Sequence, residues 1–187
     1  MRFLNYAIVI AIFIIVAIKL SGGQGLNLGD DSLAHADSYP AGITPISASD
    51  LTKTLLNPAG MKPTFLLIYA SWCPYCKQQF PELGALAEAL HSQVNFITLS
   101  ADKNPKALAK FLGSRTDNGS YQTYIYGSRD TRLLADTLNR LDADFTGPIP
   151  YMALFDGKGK LLAQFGGLTK KEQLKAAIEE KALRIYE

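Results

Sequence analysis

The sequence predicts an α/β fold in which helices flank a central mixed β-sheet. Apolar segments of strand length alternate with longer segments whose apolar residues recur at helical spacing, and this alternation is typical of α/β domains. Near the C-terminus, two apolar segments are separated by a short glycine-rich stretch, which predicts an antiparallel hairpin. Residues 46–187 carry these signals, and a length of about 140 residues is enough to bury the core of one domain.

The first elements of the predicted domain are a short helix, a buried strand and a longer helix. Ser49-Asp50-Leu51 opens the short helix, which ends near Asn57-Pro58. Phe65 to Tyr69 is an uninterrupted apolar run, as expected of a strand that is buried on both faces. The next helix runs through His91, and its apolar residues at helical spacing are Phe80, Leu83, Leu86, Ala87 and Leu90.

The middle of the domain continues the alternation of strands and helices. Val94 to Leu99 alternates as a second central strand, and Asn104-Pro105 caps a helix that ends at Gly113. Tyr121 to Tyr126 predicts a short strand or extended segment. Asp130 to Leu141 predicts a helix because its leucines fall on one helical face.

The C-terminal part predicts the hairpin and a last helix. Tyr151 to Phe155 and Leu161 to Phe165 flank the glycine-rich turn 156–160. Gly166-Gly167 then separates the hairpin from a helix over Thr169 to Leu183, whose inward residues are Leu174, Ala177 and Ile178.

The only two cysteines, Cys73 and Cys76, lie at the turn between the buried strand and the longer helix. Pro74 suits the first turn of a helix, so Cys73 is expected at or near the N-cap, with its sulfur facing unpaired backbone N–H groups. In such settings the thiol pKa falls from about 8.5 to roughly 3.5–7.5. We therefore predict Cys73 as the nucleophile and Cys76, one turn further into the helix and less exposed, as the resolving thiol.

Other interpretations of the cysteine pair are less favourable. A disulfide between residues three apart closes too small a loop to constrain the unfolded chain much. Zinc normally requires four ligands, and the two histidines, His35 and His91, do not have ligand spacing to the pair. The sequence therefore predicts a redox dithiol with no bound metal and no cofactor.

Residues 1–20 predict a membrane-spanning signal anchor. Phe3 to Ile18 contains one polar residue, Asn5, and its length of about 24 Å as a helix is slightly short of a bilayer core. Arg2 and Lys19 can extend the span by snorkelling. Because no small-x-small cleavage site follows directly, we expect the anchor to remain uncleaved and the domain to be exported. Residues 21–45 are rich in small and polar residues, which predicts a flexible linker.

The charge pattern argues against nucleic acid as a partner. The chain has 19 basic and 17 acidic residues, which gives a formal net charge of +2. Because it contains no basic run and no basic patch with interleaved aromatic residues, we expect no nucleic-acid binding.

The motif Trp72-Cys73-Pro74-Tyr75-Cys76, with Lys77 and Pro81 after it, resembles the active-site turn of the thioredoxin superfamily and of its membrane-anchored TlpA-like thiol–disulfide oxidoreductases. The resemblance covers about residues 46 to 183 and implies a thioredoxin-like fold. Ile149-Pro150, directly before a strand, matches the cis-proline of the family, with Pro148 as the nearby alternative. The side chains that the resemblance places around Cys73 and Cys76 are Trp72, Pro74, Tyr75, Ile149 and Pro150.

The chain also departs from the family pattern. Thioredoxins carry a buried acid six residues before the first cysteine, where this chain has Leu67, so no proton relay is expected there. Glu82 and Glu88 lie on the following helix and are expected to be solvated. Three tyrosines, at positions 121, 124 and 126, are candidates for a substrate surface, although packing in the sheet is the simpler interpretation.

The resemblance implies an enzyme that exchanges disulfides with cysteine-containing exported proteins, and a membrane electron-transfer protein that re-reduces or re-oxidises it. We expect a single-pass protein of the bacterial inner membrane whose catalytic domain faces the periplasm or the cell exterior. The tethered layout favours a reductase, for example of apocytochrome c thiols or another envelope protein. The glutaredoxin-like pair Pro74-Tyr75 suggests an intermediate reduction potential for the two cysteines. Two alternatives to a reductase remain: a DsbA-like disulfide-forming oxidase and a non-enzymatic thiol metallochaperone, for example for copper(I).

Overall fold

The computed structural model describes residues 39–56, 62–115, 119–127 and 131–184. These residues belong to one compact unit. The predicted anchor, 1–20, and most of the predicted linker, 21–45, lie outside the described residues. No helix within the described ranges has both the length and the apolar character that crossing a membrane requires.

Strands and helices alternate along the described chain, as predicted. The strands are β1 (Thr44–Ile46), β2 (Thr64–Tyr69), β3 (Asn95–Ser100), β4 (Gln122–Tyr126), β5 (Tyr151–Phe155) and β6 (Leu161–Gly166). The α-helices are α1 (Ala48–Leu56), α2 (Pro74–Leu90), α3 (Pro105–Gly113), α4 (Thr131–Asn139) and α5 (Lys171–Ile178), and α5 continues into a π-helical turn, Glu179–Leu183.

The described strands form one six-stranded sheet in the order β1-β4-β3-β2-β5-β6. Strands β1 to β4 pair in parallel, whereas β5 pairs antiparallel with both β2 and β6. The predicted mixed sheet is therefore confirmed. Strand β2 lies in the centre of the sheet, between β3 and β5. The two cysteines follow its C-terminal end and are therefore placed near the middle of the row of strand ends.

The apolar run of β2 is buried on both faces of the sheet, as its sequence predicts. All six residues of the strand are buried. Successive side chains point to opposite faces, so Leu67 joins the core beneath α2 and α5, whereas Leu66 joins the core beneath α1 and α4. This two-sided burial holds the strand rigidly in place at the point where it leads into the cysteine motif.

Local capping explains where α3 begins. The side chain of Asn104 accepts hydrogen bonds from Lys106 N at 3.0 Å and Ala107 N at 3.3 Å, and Pro105 occupies the first helical position. These bonds satisfy two of the backbone N–H groups that every helix leaves unpaired at its start. The predicted start of α3 at Asn104-Pro105 is confirmed.

The structure corrects two element boundaries. Residues 44 and 45, which the sequence placed in the linker, belong to the edge strand β1, which pairs with β4. The strand has only three residues and contains Pro45, so no alternation was visible. The last α-helix begins at Lys171 rather than Thr169, because the backbone of Thr169 is held by another side chain, described below.

The turn between β5 and β6 requires glycine at position 159. Gly159 has a positive φ of 79°, and a Cβ atom there would overlap the side chain of Leu56 on α1. We expect Gly159→Ala to lower the free energy of unfolding by about 1–2 kcal/mol, because the left-handed conformation disfavours an L side chain. Urea unfolding measures this change. Gly113→Ala, where a Cβ atom meets open space, is the matched control, and equal stability of the two variants would contradict the prediction.

Candidate active site

Cys73 and Cys76 lie at the junction of β2 and α2, and a disulfide joins them. Cys73 is the N-cap residue of α2 and has an extended backbone conformation, and Pro74 follows at the start of the helix. Cys76 N donates a hydrogen bond to Cys73 Sγ at 3.2 Å. The predicted N-cap position of Cys73, with its sulfur facing a backbone N–H group, is confirmed.

This geometry determines what each sulfur can do. In the reduced protein, the N–H of Cys76 and the dipole of α2 favour the thiolate of Cys73 over its thiol. Cys73 is 4% exposed and Cys76 is 0% exposed, so the first cysteine is the more accessible, as predicted. A pair in this geometry can pass between a disulfide and a dithiol.

A second loop approaches the disulfide from the β5 side. The Ile149–Pro150 peptide bond is cis, and it is the only cis bond within the described ranges, so the alternative Pro148 is excluded. Ile149 O lies 3.8 Å from Cys73 Sγ. Pro150 is buried, and its carbonyl oxygen accepts a hydrogen bond from Gly167 N at 2.8 Å. The loop therefore brings a backbone carbonyl against the reactive sulfur.

Exposed apolar side chains flank the cysteines in the sequence and lie in the loop that is hydrogen-bonded to the cis-proline. Trp72 is 67% exposed and Tyr75 is 60% exposed, although both flank buried cysteines. Leu168, in the loop after β6, is 49% exposed. These three residues account for all but one of the exposed large apolar side chains within the described residues. Such a concentration is typical of a surface that contacts another protein.

Gln79 fixes the loop that carries Leu168, a role that the sequence did not reveal. The side chain of Gln79 is fully buried in the second turn of α2. Its Nε2 donates to Thr169 O at 3.0 Å, and its Oε1 accepts from Thr169 N at 2.9 Å. Because both hydrogen bonds go to the backbone of one residue, the amide clamps the loop to the helix that carries the cysteines.

Glu82 is not the freely solvated side chain that the sequence suggested. It is half-buried, and its carboxylate accepts a hydrogen bond from Lys171 N at 3.2 Å, at the first residue of α5. A carboxylate in this position stabilises the positive end of the helix dipole. Glu88 is exposed, as expected.

Leu67 is fully buried, so the structure has an apolar side chain at the position of the family's buried acid. A buried acid does lie near the motif, but on another strand end. Asp102, which follows β3, is 4% exposed and accepts hydrogen bonds at 2.7 Å from Ser71 N and from the hydroxyls of Ser71 and Ser100. The role of Asp102 is not visible in the sequence, because the contact joins residues 31 positions apart.

The three tyrosines of the β4 region mainly pack against other residues of the domain, in agreement with the prediction that they pack in the sheet. The ring of Tyr121 lies 6.3 Å from that of Phe80, and Tyr126 is buried in the core beneath α1 and α4. Tyr124 is half-buried, and its hydroxyl donates to Gln122. Arg115 stacks its guanidinium on the ring of Phe80, 3.8 Å from the centroid.

The described residues include no group of three or more histidine, cysteine or acidic side chains placed to bind a metal ion.

Tyr151, which follows the cis-proline, is expected to make the stability of the fold depend on pH in the alkaline range. Burial, together with the nearby carboxylate of Asp144, raises the pKa of Tyr151 to about 12. The folded protein thus keeps this proton at pH values where the unfolded chain, with a tyrosine pKa of about 10, releases it. Stability is therefore expected to fall as the pH rises above about 10. Tyr151→Phe should lose less stability than the wild type between pH 8 and pH 11 in urea unfolding, and an unchanged loss would contradict this prediction.

The comparison with solved structures agrees with this fold. The crystal structure of a thiol:disulfide interchange protein of the thioredoxin family from Chlorobium tepidum TLS superposes with a TM-score of 0.55 and 15% identity, covering 70% of this chain and 83% of that one. At this level of identity the similarity shows the fold alone.

Curated relatives match at the level of sequence. The thiol-disulfide oxidoreductase ResA of Bacillus anthracis is 24% identical over 172 residues, which cover 89% of this chain and 93% of that protein. The thiol:disulfide interchange protein TxlA homolog of a Synechocystis species is 31% identical over 100 residues, 48% of this chain and 54% of that protein. The chain spans from 37% to 54% of the length of several relatives, this one included.

The family model described as Redoxin matches residues 34–180, which include the sheet, both cysteines and the cis-proline. The predicted resemblance to the thioredoxin superfamily is confirmed by this match together with the fold. Since the matched range makes up most of the 187 residues, the chain belongs to the Redoxin family of the thioredoxin superfamily.

Proposed function

We propose that this chain is a thiol–disulfide oxidoreductase that reduces disulfides in other proteins. The observation that carries the proposal is the Cys73–Cys76 disulfide at the start of α2, with Ile149 O 3.8 Å from Cys73 Sγ. One sulfur is activated by the helix N-terminus and lies beside a loop that can align a partner, and the second sulfur is buried within reach of the first.

The reductive cycle begins with both cysteines reduced. The Cys73 thiolate attacks one sulfur of the substrate disulfide, forming a mixed disulfide and releasing the other substrate sulfur as a thiolate. The Cys76 thiolate then attacks Cys73 Sγ, which breaks the mixed disulfide and releases the second substrate sulfur. Two electrons pass from the cysteine pair to the substrate, whose two thiolates take up the two protons that the pair has released. The product is the Cys73–Cys76 disulfide that the structure contains.

The surroundings of the disulfide fit a polypeptide substrate. Trp72 and Tyr75 offer apolar surface, and the loop of Ile149 and Pro150 lies along one side of Cys73. The loop after β6 is fixed by hydrogen bonds from Gly167 N to Pro150 O and from Gln79 to Thr169 O. A segment in extended conformation could therefore contact the cis-proline loop and the exposed aromatic side chains while its disulfide reaches Cys73.

The direction of electron transfer is proposed from sequence relationships. The match to a protein named thiol-disulfide oxidoreductase ResA covers 93% of that protein's length, which supports the same class of activity for this chain. We propose that residues 1–20 anchor the chain in a bacterial inner membrane and that residues 46–187 act on its outer side. The substrates would be cysteine-containing exported proteins, for example apocytochrome c. A membrane dithiol protein would re-reduce the Cys73–Cys76 disulfide, accepting the disulfide in exchange.

The reduction potential of the Cys73–Cys76 pair tests this proposal. The full-length protein is equilibrated in glutathione or dithiothreitol buffers, and the oxidised fraction is measured by trapping free thiols. A potential near or below about −220 mV would support a reductase, since cytosolic reducing systems can sustain such a couple across the membrane. A potential near −120 mV, as in DsbA, would overturn the reductase proposal in favour of a disulfide-forming oxidase.

A further inference from the structure

Among the described residues, Asp102 is the only buried side chain of a type that is normally charged at neutral pH, with 4% of its surface exposed. It lies directly after β3, next to the point where β2 leads into the cysteine motif. A buried carboxylate is costly unless its charge is compensated. Its position and partners therefore need a physical explanation.

The partners of Asp102 connect it to the active-site turn. One carboxylate oxygen accepts hydrogen bonds from Ser71 N and from the Ser100 hydroxyl, and the other accepts from the Ser71 hydroxyl, each at 2.7 Å. All three donors are neutral, so they orient the carboxylate and spread its charge without cancelling it. Ser71 lies two residues before Cys73, and Cys73 N donates to Ala70 O within the same turn.

The short connection places a negative charge beside the nucleophile. The carboxylate lies 2.7 Å from Ser71 N, and the two residues of backbone to Cys73 span at most about 7.6 Å, so its distance from Cys73 Sγ is at most about 14 Å. The hydrogen bond from Cys73 N to Ala70 O folds this segment into a turn and makes the distance shorter. A negative charge at this distance, shielded from water, disfavours a second negative charge on the sulfur. The carboxylate thus opposes the stabilisation of the thiolate by the N-terminus of α2.

The other charged groups around the turn are better screened. All of them are exposed or half-buried. They are Lys77 and Glu82 on α2, Lys103 after β3, Arg115 after α3, Asp144 before the cis-proline and Lys170 after β6. Water and salt weaken the fields of such groups. Among the negative charges around the turn, Asp102 is therefore the one least screened by water and salt.

We propose that Asp102 is a positioning residue that fixes the active-site turn through Ser71 and lowers the reduction potential of the Cys73–Cys76 pair. The reduced form of such a pair is stabilised by its thiolate, and a strongly stabilised thiolate makes the disulfide a strong oxidant. By destabilising the thiolate, Asp102 shifts the couple towards reducing power. The inference rests on the proposed function and deepens it, because it names a group that suits the site to a reductase.

The substitution Asp102→Asn tests the inference in the full-length protein. It removes the charge and keeps a side chain of the same shape with an oxygen that can accept from Ser71. We expect the thiol pKa of Cys73 to fall by about one unit, a tenfold change, which corresponds to a potential higher by about 30 mV. The thiolate absorbance at 240 nm across pH gives the pKa, and glutathione or dithiothreitol buffers give the potential.

Asp156→Asn is the matched control. Asp156 accepts backbone hydrogen bonds from Lys158 and Lys160 in the turn after β5, at the opposite end of that strand from Pro150. The same change of charge at this distance should leave the Cys73 pKa and the potential unchanged. A purely structural role for Asp102 would lower the unfolding midpoint without moving either quantity.

The outcomes separate the inference from the proposed function. If the wild-type pair shows no reversible equilibrium with the redox buffers, the proposed function fails. If the wild type equilibrates but Asp102→Asn folds with the wild-type pKa and potential, the inference alone is overturned. If Asp102→Asn does not fold, Ser71→Ala decides, since it keeps the charge but removes a hydroxyl dipole that screens it. The Cys73 pKa is then expected to rise, and an unchanged or lower value would overturn the inference.

Discussion

The substitution Cys73→Ser is expected to abolish disulfide reduction, with the rate falling by at least about a thousandfold. A serine hydroxyl at the N-cap of α2 can accept the same N–H group as the sulfur does, so the fold should be preserved. It does not form a mixed disulfide, because the nucleophile of the exchange is a thiolate. Reduction of insulin by the full-length protein, followed as turbidity, measures the effect.

Cys76→Ser should give a different result, which separates the roles of the two sulfurs. Cys73 can still attack a substrate disulfide, but the buried sulfur that would resolve the mixed disulfide is missing. The covalent complex should therefore accumulate, and non-reducing electrophoresis with mass spectrometry would detect it. Accumulation with Cys73→Ser instead would show that Cys76 is the attacking sulfur and would refute the assignment made here.

The parts of the site that sequence could predict are those set by neighbouring residues. The N-cap position of Cys73 follows from an apolar strand, a turn and Pro74, all within a few residues. The buried strand β2 was equally visible, since its run of five apolar residues, Phe65 to Tyr69, needs two covered faces. The cis bond at Pro150 was implied by the family resemblance and not by the residues themselves.

The parts that sequence missed depend on contacts between distant positions. Gln79 and Thr169 are 90 positions apart, and Ser71 and Asp102 are 31 apart. Glutamine on a helix and aspartate after a strand are ordinary at the surface, so only the packed structure shows that both are buried. A buried polar side chain is stable where its hydrogen bonds are satisfied, and the fold meets this requirement by using both residues to hold loops at the active site.

The largest effect on stability is expected from Leu67→Asp, which introduces the acid that thioredoxins carry at this position. Leu67 is fully buried in β2, paired with Thr98 of β3 and Met152 of β5. The substitution removes apolar burial and places a carboxyl where an apolar core surrounds it. We expect the free energy of unfolding at pH 7 to fall by at least about 3 kcal/mol.

The pH dependence of this loss identifies its cause. Burial would raise the pKa of the introduced carboxyl above its value of about 3.9 in the unfolded chain, so the folded protein would bind the proton more tightly. The variant should thus be most stable near pH 4 and lose stability as the pH rises through the raised pKa. Leu67→Asn, equally polar but without a titrating group, should show the same deficit relative to the wild type at both pH values. If urea unfolding gave Leu67→Asp a deficit independent of pH, the introduced carboxylate would have to find compensation in the core. The leucine at position 67 would then not be explained by the cost of burying a charge. The three hydrogen-bond donors around Asp102 would likewise not be what allows this fold to bury an acid at position 102 instead.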